Sequence, residues 1–334
     1  MIIGAGRCHR GITYGISLDS NRKAGFRMNR KMRSTTNAYK RPWLNRSTKK
    51  KIVLLLPVLV LILVLSVYPV IRGIILGFCR YKVGKKIRFN GFDNYIGIYE
   101  TGFLGTSFRN IGAMMLVSVI FIYILGLVLA LLLNSNIPLR PLWRTLLIIA
   151  WAVPPVAKCA MWNEIFDPIR GYMNYFLKWL GVIETNISWT GDARYASIPL
   201  IVCFIWGCVP FLTLSLLSTL QQIPSDITEA ALLDGATPFQ HFRYITLPYL
   251  NQTTGICMSL IFVWIMNDYP TQSVLTGGGP GTATLTPILE AYKQGFKYGN
   301  FGFASAYGNM MIVAIGFIVF FYLKFINAND KGVN

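Results

Sequence analysis

Long apolar runs without charge constrain this chain more than any other feature. No residue between positions 52 and 71 is charged, and none between positions 111 and 133. A helix of about 20 residues, rising 1.5 Å per residue, crosses the ~30 Å hydrocarbon core of a bilayer. Charged residues make up only 13% of the chain, about half of the ~25% usual in soluble domains. A water-soluble fold cannot bury so much apolar surface, so the chain is predicted to lie in a membrane.

Six runs have the length and composition of a membrane span, and together they predict an all-α polytopic membrane protein. Pro154 and Pro155 interrupt the third run, and Pro199 and Pro210 lie in the fourth. Because proline removes a helix hydrogen bond, both of these helices are predicted to be kinked. The predicted spans are residues 52–78, 111–133, 142–163, 196–220, 250–274 and 301–325.

The positive charge is concentrated before the first span. The net charge is +19, yet fourteen of the thirty-two lysines and arginines lie between Arg7 and Lys51. Basic segments beside a span stay in the cytoplasm, so residues 1–50 are predicted to be a disordered cytoplasmic arm, with no apolar core of a cleavable signal peptide. Six spans then place the tail, residues 327–334, on the same side. An arm that binds nucleic acid is the alternative, which is set aside because the excess charge is local.

Two external connections have a distinctive composition. Residues 79–110 contain a group of five basic side chains at positions 80–88, which the positive-inside rule would place in the cytoplasm; the longer and denser arm is expected to dominate. Residues 171–181 form an amphipathic pattern with aromatic side chains that suits either the membrane interface or the protein's own outer face. The five basic residues are Arg80, Lys82, Lys85, Lys86 and Arg88.

Residues 222–248, between spans four and five, contain the signals of two short helices. Asp226, with Glu229 three positions later, predicts a capping box and a first helix over residues 227–234. Gly235 is placed to end that helix in the left-handed conformation. The first helix therefore has both ends specified locally.

The second helix of this loop has its own signals. Thr237 and Gln240 predict another capping box, with Pro238 at the favoured first helical position. Pro248 is expected to end the helix. On the first helix, three-and-four spacing places Ile227, Ala230, Ala231 and Asp234 on one face, and the two alanines permit close approach of a partner. The alternative is a plain connection between two spans.

The same loop is the basis of a family resemblance. Glu229-Ala230-Ala231, Asp234-Gly235-Ala236 and Ile245-Thr246-Leu247-Pro248 resemble the EAA loop of permease subunits in bacterial binding-protein-dependent ABC importers. In that family the loop is a short helix that inserts into a cleft of the cytoplasmic ATPase. The resemblance implies the transmembrane domain of a type I ABC importer over residues 51–326. It also implies that five residues couple this chain to the ATPase: Glu229, Ala230, Ala231, Asp234 and Gly235.

Two further stretches are similar to the sugar-permease branch of that family, which contains the larger maltose and glycerol-phosphate permease subunits. They are residues 162–168 followed by Gly171 and Asn174, and residues 275–280 followed by Thr284. The resemblance covers roughly residues 50–326 and implies import of a sugar, an oligosaccharide or a polyol derivative. Lys158, inside the third span, is not a residue that the family pattern leads us to expect.

The resemblance also implies an assembly in the bacterial cytoplasmic membrane, surrounded by its lipid. The expected partners are a second homologous permease subunit, forming a heterodimer, two copies of a cytoplasmic ABC ATPase, and an extracytoplasmic solute-binding protein. The partner ATPase is expected to bind ATP and Mg²⁺, so no cofactor is predicted in this chain and no nucleic acid among its partners.

No catalytic or metal-binding set is predicted from the sequence. The glycine-rich stretch at residues 277–281 lacks the Gly-Lys-Ser/Thr ending of a phosphate-binding loop, so the chain is not expected to hydrolyse ATP; the stretch is predicted to be a turn that breaks the chain after span five. His9 and His241 are the chain's only histidines, and the six cysteines show no metal-ligand spacing. His241 is expected to be solvated or to face a partner. An ion-driven secondary transporter is the alternative function, for which internal repeats and ion ligands at the midplane would be expected.

Polar and aromatic side chains within the spans are candidates for lining a substrate pathway. Polar groups in the membrane are costly and usually face a cavity. Aromatic rings can stack on the apolar faces of sugars, and four residues are suited to this: Trp162, Trp206, Trp264 and Tyr269. Each candidate has an alternative as a structural hydrogen bond or as a membrane-interface residue. The candidates are Asn267, Asp268, Trp162, Trp206, Asn309 and Lys158.

Overall fold

A computed structural model describes residues 46–330. The predicted arm, residues 1–50, lies outside the described residues up to position 45, and its last five positions are helical. The predicted tail is helical as far as Asp330, and its last four residues lie outside the description. The chain divides into two units, Met1–Pro57 and Val58–Asn334, and the hairpins, the cavity and the groove described below belong to the second.

Helices dominate the described residues, with one short hairpin of strands β1 (Cys79–Arg80) and β2 (Arg88–Phe89). Three π-helical segments adjoin the α-helices: Leu63–Val67, Phe242–Thr246 and Lys293–Lys297. The α-helices, in chain order, are α1 (Arg46–Ile62), α2 (Tyr68–Gly77), α3 (Asp93–Glu100), α4 (Phe103–Asn134), α5 (Arg140–Ala152), α6 (Pro155–Ile165), α7 (Tyr172–Trp179), α8 (Ser197–Leu220), α9 (Ser225–Leu233), α10 (Pro238–His241), α11 (Leu247–Met266), α12 (Tyr269–Leu275), α13 (Pro287–Tyr292) and α14 (Phe301–Asp330).

The predicted six-span architecture is confirmed, with one span broken. Among the described residues, five helical stretches are long and apolar enough to cross a membrane, and the bent pair α5 and α6 makes the sixth. The fourth span continues through Pro210 as one helix. The five unbroken stretches are Val53–Gly77, Phe103–Asn134, Ser197–Leu220, Pro238–Met266 and Phe301–Lys324.

The third span is broken rather than kinked. Helices α5 and α6 meet at 98°, so the expectation of one kinked helix over residues 142–163 is wrong. Val153 and Pro154 have extended backbone, with ψ of 127° and 140°. The residue before a proline is driven out of the helical region, and two consecutive prolines extend this restriction over both residues.

A π-helical turn leads the chain past Pro248. The expectation that this proline ends a helix is wrong, because one helical stretch runs from Pro238 to Met266. Proline has no N–H, and its ring crowds the carbonyl four residues earlier. Phe242–Thr246 widens into a π turn directly before it, and Leu247 N–H donates to Phe242 O. The wider turn accommodates the ring and the helix continues.

The fifth span also ends before its expected limit at residue 274. Helix α11 stops at Met266, and α12 starts anew at Tyr269. Asp268 is the N-cap of α12, where its Oδ1 accepts a hydrogen bond of 3.0 Å from Thr271 N–H. An aspartate that satisfies a free N–H favours a helix start over helix continuation, and this explains the break.

Helices α4 and α8 form the centre of the bundle. Ile122 on α4, Leu212 and Leu216 on α8, and Ile261 on α11 are fully buried in one apolar cluster. Gly126 permits the close approach of α4 to α8, because a Cβ atom there would lie 2.8 Å from Leu212 Cδ2. Membrane helices associate through such packing, since lipid is as apolar as the side chains.

The β hairpin is fixed between the end of the first span and the start of the sixth. Val83 N–H donates to Gly299 O at 2.9 Å, and Gly302 N–H donates to Tyr81 O at 3.1 Å. The buried side chain of Asn94 donates to two carbonyls at the base of the hairpin. The backbone of the β hairpin is therefore held in place by hydrogen bonds to α3, to α14 and to the segment before α14.

A single buried asparagine fixes helix α7. Asn174 Nδ2 donates to Pro168 O at 3.1 Å and to Ile187 O at 2.9 Å. Its Oδ1 accepts from Ile187 N–H at 3.2 Å and from Trp189 Nε1 at 2.9 Å, which uses the full capacity of the amide. The aromatic side chains of Tyr172, Tyr175 and Trp179 are exposed, and their place at a membrane interface stays a prediction.

The substitution Asn174→Ala should destabilise this connection by about 2–4 kcal/mol, because it leaves several buried groups without partners. Thermal unfolding of the purified complex would measure the loss. Asn186→Ala is the matched control: this exposed side chain makes one hydrogen bond of 2.7 Å, to Pro168 O. Equal losses for the two variants would contradict the central role of Asn174.

Candidate functional site

The coupling hairpin, residues 222–248, begins differently from the prediction. Helix α9 starts at Ser225 rather than at residue 227, with Pro224 as its N-cap. Asp226 therefore lies inside the first turn, where Ser225 Oγ donates to its Oδ1 at 3.3 Å. The predicted capping box of Asp226 with Glu229 is wrong, because Pro224, with fixed φ and an extended ψ of 137°, already sets the helix start.

The end of α9 matches the prediction. Gly235 has φ of +74°, and two reversed hydrogen bonds close the helix: Ala236 N–H to Ala231 O at 2.9 Å and Gly235 N–H to Leu232 O at 3.1 Å. This pattern is a Schellman motif. A Cβ atom at Gly235 would meet nothing within 4 Å, so the glycine is required for its backbone angle and not for space.

The second capping box is confirmed. Thr237 Oγ1 accepts from Gln240 N–H at 3.3 Å, and Gln240 Oε1 accepts from Thr237 N–H at 2.7 Å. Pro238 follows as the first residue of α10. The glycine end of α9 and the capped start of α10 stand two residues apart, so the turn of the coupling hairpin is specified on both sides.

The coupling hairpin presents an apolar surface that sequence reasoning missed. Four of the five residues of the EAA resemblance are exposed, and Ala231 is half-buried. Beside them Leu233 is 90% exposed, although leucine is ordinarily among the most buried residues. Large apolar residues in an otherwise polar loop were the available signal. The missed residues are Leu232, Leu233, Phe239 and Tyr244.

His241 connects the coupling helix α9 to the base of the fifth span. Its Nε2 lies 3.4 Å from Thr228 Oγ1 on α9, and its Nδ1 lies 3.4 Å from Thr246 Oγ1 in the π turn. The sequence interpretation, a solvated or partner-facing side chain, missed this internal role. Only the fold brings the two threonines to opposite sides of one imidazole.

A cavity of about 420 Å³ brings four of the six pathway candidates together. Lys158 and Trp206 line it from α6 and α8, and Asn267 and Asp268 line it from the break after α11. The break in the third span contributes Val153 to the same lining. The break in the third span and the break at the end of the fifth therefore both open onto one cavity, where non-helical backbone is tolerated in a membrane.

Lys158 and Asp268 form an ion pair inside this cavity, with Nζ 3.7 Å from Oδ2. Their side chains are 13% and 17% exposed. Asp268 is held independently, because Thr271 donates to it through its N–H and, at 2.6 Å, through its Oγ1. Asp268 is the only carboxylate that pairs with Lys158 within residues 46–330, and an ammonium has three donors.

Three tryptophans line the same cavity as the ion pair. Trp151, Trp206 and Trp264 all line the cavity, and the Phe211 ring stands between two of them, 6.2 Å from Trp151 and 4.7 Å from Trp264. Flat apolar faces beside a few polar groups are the arrangement that binds a sugar ring. Trp151 was not among the residues that the sequence suggested.

The remaining two candidates lie elsewhere. Trp162 contacts Trp206 edge-on with centroids 6.2 Å apart, but it stands behind that ring and does not line the cavity. Asn309 on α14 donates to Ile74 O at 3.1 Å and to Tyr95 Oη at 2.8 Å. It ties the sixth span to the first and lines a different groove.

The residues that suggested the sugar-permease branch have structural roles in loops. Asp167 Oδ1 accepts from Arg170 N–H at 2.7 Å and Ile169 N–H at 2.9 Å. These two donors lower the pKa of the Asp167 carboxyl from its ordinary value. Thr284 Oγ1 donates to Gly279 O at 2.8 Å across the glycine-rich turn, which has positive φ at Gly277 and is the chain-breaking turn that the sequence predicts.

Six helical spans, a preformed hairpin with an exposed apolar surface, and a polar cavity between the broken third span and the end of the fifth are the features of a membrane permease. The chain belongs to the family of binding-protein-dependent transport system inner membrane components, whose sequence pattern matches residues 122–329. This match covers the cavity and the coupling hairpin, and it confirms the resemblance found in the EAA loop.

Individual relatives agree with this assignment. The chain is 33% identical over 287 residues to the trehalose/maltose transport system permease protein MalF of Thermococcus litoralis, covering 84% of this chain and 94% of that protein. It is 29% identical to the sulfoquinovosyl glycerol transport system permease protein SmoG of Agrobacterium fabrum, covering 86% and 94%.

A solved structure shows the same fold. The crystal structure of a bacterial ABC transporter involved in the import of the acidic polysaccharide alginate contains a chain that matches with a TM-score of 0.72 at 20% identity. The match covers 84% of this chain and 96% of that chain.

Two substitutions test the ion pair together. Lys158→Met and Asp268→Asn should each destabilise the complex, because each leaves an unpaired charge in the cavity. The double variant should lose less than the sum of the singles, with a coupling energy of about 1–2 kcal/mol. Thermal unfolding of all four proteins measures it. Additive losses would show that the two charges do not interact.

A third substitution tests the turn of the coupling hairpin. Gly235→Val should uncouple ATP hydrolysis from uptake, since a β-branched residue resists the positive φ at this position. ATP-driven uptake in proteoliposomes measures the effect. Gly112→Val is the control, because Gly112 also has open space around its Cβ position but lies within helix α4, without a positive φ. Full ATP-driven uptake by the Gly235→Val variant would contradict a role of Gly235 in coupling.

Proposed function

We propose that this chain is the permease subunit of an ATP-driven carbohydrate importer, that it forms half of the translocation pathway, and that it couples to the ATPase through the coupling hairpin. Substrate crosses at the interface with a second, homologous permease subunit. Two cytoplasmic ATPase subunits bind ATP and Mg²⁺, and an extracytoplasmic binding protein delivers the substrate. The chain itself contributes conformational change and no catalysis.

One observation is the main support: a single helical stretch connects the coupling hairpin to the cavity. Pro238–Met266 contains 29 residues, about 43 Å at 1.5 Å per residue. It starts at the capped turn beside α9 and ends at Asn267 and Asp268. Because α9 is also bonded to this stretch through His241, a displacement of α9 by the ATPase is passed to the cavity by a nearly rigid element.

The ion pair lies at the far end of this stretch. Asp268 belongs to the break after α11, and Lys158 belongs to α6 beyond the break in the third span. Movement of α11 relative to α6 changes the Nζ to Oδ2 separation, and the pair therefore opens or closes with the conformational cycle. Alternating access requires such an element with two arrangements.

The substrate class follows from the rings and from the relatives. Three indoles, an asparagine and an ion pair line the cavity, which is the mixture of apolar planes and polar groups that carbohydrates need. The relatives named above transport trehalose and maltose or sulfoquinovosyl glycerol, and AraP of Halalkalibacterium halodurans, 27% identical, transports arabinooligosaccharides. We extend the carbohydrate class to this chain.

The proposed orientation places both termini and the coupling hairpin in the cytoplasm. Six spans put the two termini on one side, and the basic segment before the first span favours the cytoplasm for that side. Helix α7 and the β hairpin then lie outside. Family membership leaves the ion-driven secondary transporter without support, because members of this family are components of binding-protein-dependent systems.

Substrate-stimulated ATP hydrolysis in proteoliposomes tests the proposal. The purified complex is assayed with its binding protein against a panel of mono- and oligosaccharides. We expect stimulation by one carbohydrate and at least a tenfold loss of that stimulation in Glu229→Arg, because the exposed carboxylate faces the docked ATPase. The measurement is phosphate release per complex.

Glu184→Arg is the matched control, since Glu184 is also exposed but lies in the connection between spans three and four. It should keep the stimulation. Equal loss in both variants would point to a general charge effect, and stimulation that survives Glu229→Arg would remove the coupling role. Absence of any ATPase partner would overturn the importer proposal.

A further inference from the structure

The β hairpin and the groove beside it have no role in the proposed transport cycle. An open, mainly apolar groove with a volume of about 1130 Å³ lies between α2, α3, the start of α4 and α14. Its lining includes Ile74, Phe78, Leu104, Gly105 and Val313. The groove is thus bounded by three membrane spans near the ends that the proposed topology places outside.

The groove faces outward and not into the bundle. The side chains of Ile74, Ile312 and Val313 are 41%, 52% and 58% exposed. Gly105 adds open space, since a Cβ atom there would meet nothing within 4 Å. Apolar side chains at this depth require a covering of acyl chains or of another apolar surface.

The β hairpin is flanked on both sides by residues that line this groove. Phe78, which lines the groove, is followed at once by strand β1, and Phe92, which also lines it, stands three residues after strand β2. The rings of Phe78 and Phe92 meet edge-on with centroids 5.3 Å apart. The two strands are therefore anchored at the mouth of the groove by their own flanking residues.

Five cations of the hairpin are available for a ligand. Arg80, Lys82, Lys85, Lys86 and Arg88 are all exposed, and none of them forms an ion pair with a carboxylate within residues 46–330. Opposing charge nearby in the chain is limited to Asp93 and to Glu100, which stands at the groove itself. The hairpin thus has a surplus of positive charge on a backbone that is held in place.

Exposed apolar side chains alternate with these cations. Val83 is 66% exposed, Ile87 47% and Phe89 79%. Basic residues interleaved with aromatic and aliphatic ones are typical of segments that lie at a phospholipid interface. A protein partner recognised by charge alone would not require the apolar side chains to be exposed as well.

We propose that this groove and hairpin form a binding site for an anionic phospholipid of the outer leaflet. The acyl chains occupy the groove between α2, α4 and α14, and the phosphate group pairs with the lysines and arginines of the hairpin. This assignment also accounts for basic residues on the side of the membrane where the positive-inside rule disfavours them. It is independent of which carbohydrate the importer takes.

Native mass spectrometry of the intact complex, after exchange into phosphatidylglycerol, tests the proposal. The wild-type complex should retain phosphatidylglycerol through detergent washing and should not retain phosphatidylcholine to the same extent. Gly105→Leu adds a side chain whose Cβ meets nothing within 4 Å, so it extends into the groove and should lower the retained phosphatidylglycerol about tenfold. Gly112→Leu, on the same helix and with equal open space but outside the groove lining, should retain it.

The charges are tested by a triple variant, Lys85→Gln with Lys86→Gln and Arg88→Gln. Each basic residue near a lipid surface contributes roughly fivefold to binding of anionic lipid, so retention should fall by tenfold or more. Arg170→Gln with Lys178→Gln and Arg194→Gln removes three external cations outside the hairpin and should leave retention unchanged. Thermal unfolding of each complex verifies that the variants are folded.

Three outcomes would overturn the proposal. Equal retention in all variants would show that the lipid binds elsewhere. Loss of the second permease subunit from the Gly105→Leu complex, with lipid unchanged, would assign the groove to a protein interface. Weaker attachment of the binding protein to the hairpin triple variant, with lipid retention unchanged, would assign the cations to that partner.

Discussion

The need to satisfy every backbone hydrogen bond inside lipid governs this structure. An unpaired N–H or C=O in the hydrocarbon region costs several kcal/mol, so a spanning segment must be helical unless protein or a water-filled cavity covers it. Among the described residues, the chain leaves the helical path inside the third span, after Ala152, and again at the end of the fifth span, after Met266. Both line one cavity. The need to pair backbone groups therefore limits polar side chains in the spans to covered sites such as this cavity, and the ion pair of Lys158 with Asp268 lies there.

Much of this architecture was predictable because hydropathy reports composition over a length that matches the bilayer. The six spans follow from it, and Gly235 and Thr237 follow from backbone rules that act within a few residues. The breaks in the helices and the π turns were harder to predict from the sequence. Proline predicts disturbance, yet whether the helix bends by 98°, as after Ala152, or continues through a π turn, as before Pro248, depends on the tertiary surroundings.

The candidate site also has a part that the sequence predicts and a part that only the fold reveals. Lys158 and Asp268 are both conspicuous in the sequence because charge is rare in a span, but they are 110 positions apart, and their contact depends on two breaks that hydropathy does not report. The coupling hairpin was recognised from its motif and its caps. Its apolar surface at Leu233 and Phe239 was not predicted, because capping motifs report where a helix begins and ends and not which side chains remain exposed after folding.

The π turn at Phe242–Thr246 has a geometric consequence for the direction in which the coupling hairpin points. A π turn holds one residue more than an α turn, and each residue of an α-helix advances the azimuth by about 100°. The π turn therefore sets the direction in which α9 points around the axis of the fifth span. Deleting Arg243 would keep every residue from Glu229 to Gly235, yet it would rotate the whole hairpin by about 100° around the axis of the fifth span.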